Sequence, residues 1–443
     1  MKVLLAVLAL VMLAGNAVAA APPAGERPDI VVVLLDDMRE EDWRALPRTR
    51  QLIARKGTWF PNFFAVTPLC CPARVELLTG MYAHNSGVKD NFGPNGGYGA
   101  FRSNGLADKT IARVLGPTYR VGLFGKFLNG YDGVRAIPPG FDAWWASGSQ
   151  QFNDYKVNHN GKISTEKGYH TTQLKRRTLG FLRGAGATFA YVSVLAPHHP
   201  SVPENKRDKR AFRRVVRERT PALNEADISD KPRYVREAKP ERLARLDELN
   251  RNRMRSLRSA DRAIVAIHNR LVQRGRPFYL FVLSDNGYML GDHRLMHKAV
   301  PYDASTRIPM GVIGPGFAPG STDARLVGMI DIAPTVAEVA GLDLPWTDGY
   351  SLLSDHDREV ILLEGWATAY GNGDWTALRG PDFLYVENDS GEREYYDYAN
   401  DPYELENLLA DWNGIEPRLD PAEAQRLADA LAEHADCAGS DCP

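Results

Sequence analysis

Four short runs of apolar residues constrain the fold of this chain most strongly. They are rich in Val, Leu, Ile and Phe and do not alternate with polar residues, which is typical of strands buried on both faces of a parallel sheet. Helical patterns lie between them. The sequence therefore predicts an α/β protein with a doubly wound, mostly parallel central sheet and helices on both faces. The four runs cover residues 30–35, 119–124, 189–195 and 278–283.

Apolar residues at helical spacing predict the helices, and two of these segments stop at a glycine, Gly116 and Gly275. After residue 342 the pattern changes to short strand-like runs, which predict a small antiparallel sheet. We therefore expect an α/β domain over 20–355 and a C-terminal subdomain over 356–443. The expected helices cover 106–115, 241–274, 331–342 and 421–434, and the late strands cover 360–363, 376–378 and 383–387.

The first residues have the form of a secretion signal. Lys2 precedes an apolar run over 3–14, and Ala17-Val18-Ala19 has the small-x-small form of a signal-peptidase site. The run is shorter than the roughly 20 apolar residues of a spanning helix, so a cleaved signal peptide over 1–19 is favoured over a membrane anchor. We expect a secreted protein, periplasmic or extracellular.

Charge and cysteine content narrow the class of partner. A formal net charge of -1 gives no global attraction to nucleic acid or to an anionic membrane, and neither is expected as a partner. Four cysteines are too few for a disulfide scaffold. Cys437 and Cys442 could close a small disulfide loop or remain unpaired in a frayed tail. The adjacent pair Cys70 and Cys71 needs a different explanation.

The stretch over 206–219 is dominated by Lys and Arg. A solvated surface insertion is the first interpretation of such a charge run. A basic rim that grips a polyanionic substrate is the second.

Polar residues stand where each of the four buried runs stops. Taken singly, each is explained by a turn, a cap or a loop. Together they predict a site, because ligands of open α/β sheets bind beyond the carboxyl ends of the strands. The residues are Asp36-Asp37, Gly125-Lys126, His198-His199 and Asp285-Asn286.

Four of these residues offer only oxygen atoms as metal ligands. Oxygen donors favour Ca²⁺ or Mg²⁺ over zinc, and three crowded carboxylates would repel one another without a cation. The sequence therefore predicts a calcium-type site, with Mg²⁺ less favoured. Its predicted ligands are Asp36, Asp37, Asp285 and Asn286.

The segment around the paired cysteines predicts a helix. Pro72 suits a first helical turn and Gly80 a helix end. Cys70 then lies at the helix N-terminus, where the backbone favours an anion, and Arg74 shares its face. Cys71 aligns with Val75 instead. Helical register thus favours Cys70 as the reacting residue and Cys71 as a packing residue.

This segment resembles the activation motif of the sulfatase family: cysteine, any residue, proline, a small residue and arginine, followed by Leu-Thr-Gly. Cys70, Pro72, Ala73, Arg74 and residues 78–80 match it position by position. The resemblance extends over nearly the whole mature chain and implies an alkaline-phosphatase-like fold. Residues 125–129, 196–198 and the doubled cysteine resemble the N-acetylglucosamine-6-sulfatase branch most closely.

The resemblance implies that a maturation enzyme oxidises Cys70 to formylglycine (3-oxoalanine). One hydroxyl of the hydrated aldehyde would attack sulfur and form a covalent sulfo-enzyme, and the second would lose its proton as sulfate is expelled. Cys70 would then join the metal ligands. Cations would neutralise the sulfate oxygens, and a histidine would bind sulfate or protonate the leaving oxygen. By the resemblance, the cations are Arg74, Lys126 and Lys298, and the histidine is His198.

One position departs from the family pattern. Many sulfatases carry a histidine two residues after the lysine that matches Lys126, and this chain has Leu128 there. The base that releases sulfate is therefore open. His84, His199 and Asn129 are the candidate substitutes.

The expected activity is hydrolysis of sulfate monoesters on a sugar or glycosaminoglycan-type substrate, with aryl sulfates as artificial substrates. A phosphonate monoester or phosphodiester hydrolase using the same formylglycine site is the alternative, because fold and nucleophile do not separate the two. A third hypothesis is a sulfated-glycan binder in which Cys70 is never matured.

Overall fold

The computed structural model describes residues 26–148, 150–366 and 370–443. The segment expected to be a signal peptide, 1–19, lies outside the described residues. None of the described helices combines the length and the apolar character that crossing a membrane requires.

The described residues form eighteen strands. Ten of them join one sheet, four join a second sheet and the other four form two small pairs. In chain order they are β1 Asp29–Asp36, β2 Thr58–Phe60, β3 Phe63–Phe64, β4 Arg120–Lys126, β5 Ala143–Ser147, β6 Tyr155–His159, β7 Lys162–Glu166, β8 Thr188–Pro197, β9 Phe278–Ser284, β10 Met289–Leu290, β11 Met296–His297, β12 Met310–Ile313, β13 Ser321–Thr322, β14 Val327–Gly328, β15 Ile361–Gly365, β16 Trp375–Arg379, β17 Phe383–Asn388 and β18 Arg393–Asp397.

The helices connect these strands, mostly along the two faces of the large sheet. Short 3₁₀ turns cover Glu40–Ala45, Leu106–Lys109, Met329–Asp331 and Gly439–Asp441. The α-helices are α1 Pro47–Lys56, α2 Cys70–Thr79, α3 Ala83–Ser86, α4 Gly97–Ser103, α5 Ile111–Leu115, α6 His170–Phe181, α7 Lys206–Lys209, α8 Arg233–Arg236, α9 Leu243–Arg274, α10 Asp303–Thr306, α11 Ile332–Ala340 and α12 Pro421–His434.

The large sheet has the strand order β13-β2-β12-β9-β1-β8-β4-β5-β6-β7. The four apolar runs became its adjacent centre, β9, β1, β8 and β4, and all three pairings among them are parallel. The antiparallel β12 flanks this centre on one side. On the other side β5 extends the parallel part, and the antiparallel β6 and β7 follow. The predicted doubly wound, mostly parallel sheet is confirmed.

Strand β1 shows why these runs had to be continuously apolar. Ile30, Val32 and Leu34 face one core, which α2, α5 and α11 cover. The alternate residues Val31 and Val33, with Leu35, face a second core under α1, α6 and α9. All six side chains are fully buried, and each such burial contributes roughly 1.5–3 kcal/mol. A polar residue on either face of β1 would therefore enter a core.

Most predicted helix limits agree with the structure, and one predicted helix is wrong. Helix α9 ends at the left-handed Gly275 (φ 68°) as expected, and α12 spans the predicted residues. The segment 106–115 is not one helix. Thr110 interrupts it with an extended backbone, and its hydroxyl accepts a hydrogen bond from the Arg113 amide. The Thr110 side chain thus caps the start of α5 and ends the 3₁₀ turn that precedes it.

The C-terminal part folds as predicted into an antiparallel sheet, β15-β16-β17-β18, in which β18 was not anticipated. Its core also contains Phe64 and Val66 of the larger part. Cys437 and Cys442 form a disulfide. The division at 355/356 stays a prediction.

Gly125 shows how closely β4 and β8 approach each other near the carboxyl end of β4. Its φ is 116°, and an added Cβ would lie 1.9 Å from the Ser193 carbonyl oxygen. We expect Gly125→Ala to lower the free energy of unfolding by about 3 kcal/mol or more, because both the backbone conformation and the β4–β8 spacing would have to change.

Gly161→Ala is the matched control. Gly161 also has a positive φ (86°), but nothing lies within 4 Å of its added Cβ, so a loss of about 1 kcal/mol is expected. Denaturant unfolding of the two variants measures the difference. Equal losses would contradict the crowding argument.

Candidate active site

The carboxyl ends of β1, β4, β8 and β9 meet at one edge of the sheet and bring the predicted polar residues together. Lys126 donates from Nζ to Asp36 Oδ2 at 2.7 Å. The Asp37 amide donates to Asp285 Oδ1 at 2.9 Å. His198 Nε2 lies 3.8 Å from Asp37 Oδ2. The predicted residues at the four strand ends therefore meet in one place, which we call the crevice.

Cys70 is the first residue of α2 and points into this crevice. Lys126 and Lys298 each donate a hydrogen bond from Nζ to its Sγ, at 3.3 and 2.8 Å. The thiol lies 3.5 Å from Asp36 Oδ1. Burial raises the pKa of Cys70 to about 12 in spite of the two ammonium groups.

Arg74 lies one helical turn after Cys70 and is fully buried. Its Nε and Nη2 donate to Asp285 Oδ2 at 3.1 and 2.7 Å. Its Nη1 donates to Ser193 Oγ at 2.6 Å and to the Lys126 carbonyl at 3.1 Å. Most donors of the guanidinium group are therefore used within the protein, where they hold Asp285 and the end of β4. The role of Arg74 toward sulfate stays a prediction.

The electrostatics of the crevice differ from the expectation in one respect. Three buried carboxylates, Asp36, Asp37 and Asp285, were expected to need a metal to relieve their repulsion. Three buried basic groups face them, since Arg74 and Lys126 contact Asp36 and Lys298 contacts Asp37. The carboxylates are thus balanced by side chains, and repulsion alone does not require a metal.

The pKa shifts of two carboxyl groups follow these contacts. Burial opposes ionisation of Asp37, but the Lys298 ammonium and His198 outweigh it and lower its pKa. Burial, together with the Asp36 carboxylate, raises the pKa of Asp285 to about 6 against the effect of Arg74. Arg74 and Lys298 therefore help to keep a crowded anionic site in its charged form.

The donor atoms fit a divalent cation. His198, which was not a predicted ligand, stands among them, whereas the predicted ligand Asp285 does not. Asp36, Asp37, Cys70 and His198 each place one donor atom so that all lie within 4.8 Å of one another. Asn286 Oδ1 accepts a hydrogen bond from Lys298 at 3.3 Å. Two carboxylates and an amide oxygen suit a hard cation such as Ca²⁺. Asp285 already binds Arg74 and the Asp37 amide, so it would have to be shared.

His198 stands at the end of β8 with one ring nitrogen fixed. Its Nδ1 lies 2.7 Å from the His199 carbonyl oxygen, to which it donates, so Nε2 faces the crevice. The side chain is largely buried, and burial lowers its pKa. The imidazole is therefore held in one orientation with Nε2 available for proton exchange.

The structure does not bring all three candidate bases to Cys70. His84 is held elsewhere, with Nδ1 2.7 Å from Glu364 Oε2 and Nε2 2.8 Å from the Cys437 carbonyl oxygen. Asn129 contacts the neighbouring cysteine, because its backbone N–H donates to Cys71 Sγ at 3.2 Å. His199 is exposed at the rim. Leu128 is fully buried in the apolar core.

Cys71 is fully buried in the same core, and Asn91 Oδ1 accepts a hydrogen bond from its amide. Its side chain points toward Asn129, away from the crevice that Cys70 enters. The structure therefore agrees with the register argument that separated the two cysteines.

Three aromatic residues at the mouth were missed by the sequence analysis. His297, directly before Lys298, stacks on Tyr370 with ring centroids 4.9 Å apart. Tyr288 meets His297 edge-on, with ring centroids 5.8 Å apart and its hydroxyl 3.3 Å from Nδ1. They come from three separate segments, so no sequence spacing joins them. Adjacency of His297 to Lys298 was the only available signal.

Comparisons with known proteins agree on one family. A family model described as Sulfatase matches residues 28–342. An arylsulfatase of Volvox carteri is 29% identical over 97% of this chain and 78% of its own length. The N-acetylglucosamine-6-sulfatase of Homo sapiens is 30% identical over 74% of this chain, and the match spans 64% of that enzyme.

Solved structures share the fold. A protein in complex with its substrate D-glucosamine-2-N,6-O-disulfate superposes with a TM-score of 0.77 at 21% identity, covering 92% of this chain and 97% of that one. A phosphonate monoester hydrolase of Agrobacterium radiobacter superposes with a TM-score of 0.68 at 19% identity, covering 92% and 95%. Both likenesses concern the fold and leave the reaction to be argued from the site.

The metal prediction is tested by Asp285→Asn. Removing this charge withdraws a shared ligand and leaves the Arg74 guanidinium less compensated, so calcium affinity should fall at least about tenfold and the fold should lose stability. Calorimetric titration with Ca²⁺ and thermal unfolding measure the two effects separately.

Asp331→Asn is the matched control, because Asp331 is also a buried carboxylate held by an arginine, Arg358, at 2.7 Å. It should lose stability and keep the calcium affinity of the wild type. If Asp285→Asn bound Ca²⁺ with wild-type affinity, Asp285 would not be a ligand.

Proposed function

The chain belongs to the sulfatase family of sulfuric ester hydrolases, and we propose that it hydrolyses sulfate monoesters on a sugar or glycosaminoglycan-type substrate. The observation that carries this proposal is the environment of Cys70. Its Sγ receives hydrogen bonds from Lys126 and Lys298, while Asp36 and Asp37 offer oxygen atoms beside it that could hold a cation. Such a site can hold a sulfate group by its oxygens and place a nucleophile on its sulfur.

We propose that Cys70 acts as formylglycine. Its motif matches the family activation pattern through Arg74, and a formylglycine-generating maturation enzyme is the implied partner. The hydrated aldehyde offers two hydroxyl groups on one carbon, whereas a cysteine or serine offers one nucleophilic atom. Two hydroxyls allow the sulfate to be taken up by one and expelled by the other.

The first half of the reaction transfers the sulfo group. A new O–S bond forms between one hydroxyl of residue 70 and the sulfur, while the S–O bond to the substrate alcohol breaks. Lys126 and Lys298 neutralise charge on the sulfate oxygens as it shifts during attack. His198 Nε2 takes the proton of the attacking hydroxyl and passes it to the leaving oxygen. A calcium ion at Asp36, Asp37 and Asn286 would contribute Lewis-acid activation of the hydroxyl.

The second half needs a base, and we propose that His198 is that base. After giving its proton to the alcohol, the imidazole is neutral with Nε2 unprotonated, because Nδ1 remains bonded to the His199 carbonyl. It can therefore take the proton of the second hydroxyl as the aldehyde re-forms and sulfate leaves. One imidazole serving both halves would compensate for the apolar Leu128, and it uses neither His84 nor Asn129.

The substrate side of the site supports a ring-shaped alcohol. The stacked rings of His297 and Tyr370 lie beside Lys298 at the mouth. A flat pair of rings can pack against a pyranose or an aryl group. Relatives named N-acetylglucosamine-6-sulfatase and the glucosamine disulfate complex support an amino sugar.

We propose that the protein acts outside the cytoplasm. Residues 1–19 have the form of a signal peptide, and the Cys437–Cys442 disulfide is suited to an oxidising compartment. Two relatives are named extracellular sulfatases, in Drosophila melanogaster and Caenorhabditis elegans.

Mass spectrometry of the tryptic peptide that contains Cys70 tests the nucleophile. After co-expression with a maturation enzyme, the peptide should be lighter by about 18 Da, because a thiol is replaced by an aldehyde. Cys70→Ala should abolish turnover. Cys71→Ala should keep it and lose only packing energy, about 1 kcal/mol. An unmodified Cys70 in active protein would overturn the formylglycine proposal.

Comparing two substrates on one preparation separates the sulfatase from the alternative phosphonate or phosphodiester hydrolase. An aryl sulfate should be turned over with the higher kcat/KM, because Lys126, Lys298 and an implied cation can hold its three unesterified oxygens. A phosphodiester has only two such oxygens and must place a second ester group in the buried site. Measurement of kcat/KM for the aryl sulfate and for the matching aryl phosphodiester decides. A preference for the diester by orders of magnitude would replace the proposed function.

A further inference from the structure

Six exposed basic side chains lie within the nine residues that follow Asn205, and we call them the basic surface. The segment also contains one acid, Asp208, which is buried. The net charge of the whole chain, -1, does not reveal this local excess of positive charge. The members of the basic surface are Lys206, Arg207, Lys209, Arg210, Arg213 and Arg214.

The acids that could neutralise this surface are turned inward. Asp208 accepts hydrogen bonds from Arg258 at 2.9 Å and from Arg262 at 3.0 Å, both on α9. Arg262 also binds Glu204. Arg255 fixes the segment from the same helix by donating to the Ala211 carbonyl at 3.0 Å. The segment is therefore attached through its acids, which leaves its bases in solvent.

Two acids on the neighbouring surface, Glu248 and Asp247, are already paired with arginines. Glu248 contacts Arg251 and Arg255 of its own helix. Asp247 accepts from Arg219 at 2.8 Å. Among the described residues, no acid forms an ion pair with any of the six basic side chains. Six like charges held this close repel one another, so an anionic partner is favoured strongly.

The basic surface follows the end of β8 closely along the chain. It begins seven residues after His199, which limits the separation of the two backbones to about 25 Å. The intervening chain is held near the end of β8, because Ser201 Oγ donates to the Pro197 carbonyl at 2.6 Å and Tyr169 donates to the Val202 carbonyl at 2.8 Å. An extended anionic chain of a few sugar rings can therefore reach both places.

We infer that the basic surface binds a sulfated polysaccharide while one of its sulfate esters occupies the Cys70 crevice. This inference rests on the proposed function and adds that the substrate is polymeric. Four of the six side chains are arginines, whose planar groups bind sulfate oxygens in pairs. A sulfated chain presents such groups at regular intervals. The second interpretation of the basic stretch is thus favoured over a purely solvated insertion.

The test compares two variants with six substitutions each. In the surface variant, all six residues of the basic surface are changed to Gln. In the control variant, six exposed basic residues scattered elsewhere are changed to Gln, again four arginines and two lysines: Arg48, Arg102, Arg135, Arg183, Lys109 and Lys162. Thermal unfolding verifies that both variants are folded.

Binding to dextran sulfate, with unsulfated dextran as the blank, is measured at several salt concentrations. The surface variant should bind at least about tenfold more weakly at 0.1 M salt and show a shallower salt dependence, while the control variant stays within about twofold of wild type. Equal losses in both variants, or no loss in the surface variant, would overturn the inference.

Two further measurements separate this inference from the proposed function and from other anionic partners. The ratio of kcat/KM on a sulfated oligosaccharide to kcat/KM on an aryl sulfate should fall at least about fivefold in the surface variant and stay constant in the control. Absence of any aryl sulfate turnover by wild type would instead contradict the proposed function and leave the binding result standing. Tighter binding of duplex DNA or of phosphatidylserine vesicles than of dextran sulfate would overturn the choice of partner.

Discussion

The arrangement of this protein depends on a charge-balanced cluster at one edge of a parallel sheet. Three carboxylates and three basic groups meet there with no appreciable solvent exposure. Each buried charge alone would cost several kcal/mol, and only close pairing offsets that cost. Arg74 is central, because its guanidinium holds Asp285, contacts Asp36 and binds the ends of β4 and β8 at once. Helix α2 is thereby fixed against the strands, and with it the position of Cys70.

The architecture of the sheet explains how so many charged side chains reach one place. Parallel strands end at the same edge, so short loops after β1, β4, β8 and β9 deliver side chains to one place without long excursions. Both faces of the strands are sealed by helices, which leaves the edge as the opening to solvent. The C-terminal part of the chain contributes to that opening through Tyr370 and through Trp375, whose Nε1 donates to the Ala299 carbonyl at 3.1 Å next to Lys298. Two parts of the chain thus build one mouth.

Balance among side chains also changes how the metal should be regarded. Lys298 contacts Asp37, Asn286 and Cys70, so one flexible ammonium group touches ligands of the predicted cation and the predicted nucleophile together. A bound cation would compete with Lys298 for the oxygens of Asp37 and Asn286 and favour contact of the lysine with sulfate. A metal bound there would then serve activation rather than simple relief of repulsion. His198 gains importance in the same way, since its fixed Nδ1 leaves Nε2 as the mobile proton site in the crevice.

The sequence by itself determined the central sheet. A strand buried on both faces must be apolar at every position, and residues 30–35 have this pattern. It also predicted that Cys70, rather than Cys71, points toward the charged cluster, because helical register is local and Pro72 and Gly80 lie near the two ends of α2. Tertiary structure alone decided the rest. Thr110 divided a predicted helix through a hydroxyl cap. His84 was bound to Glu364 about 280 positions away in the chain, and Tyr370 stacked on His297 from a distant segment. These outcomes depend on contacts between distant segments, whose distances no periodicity or spacing encodes.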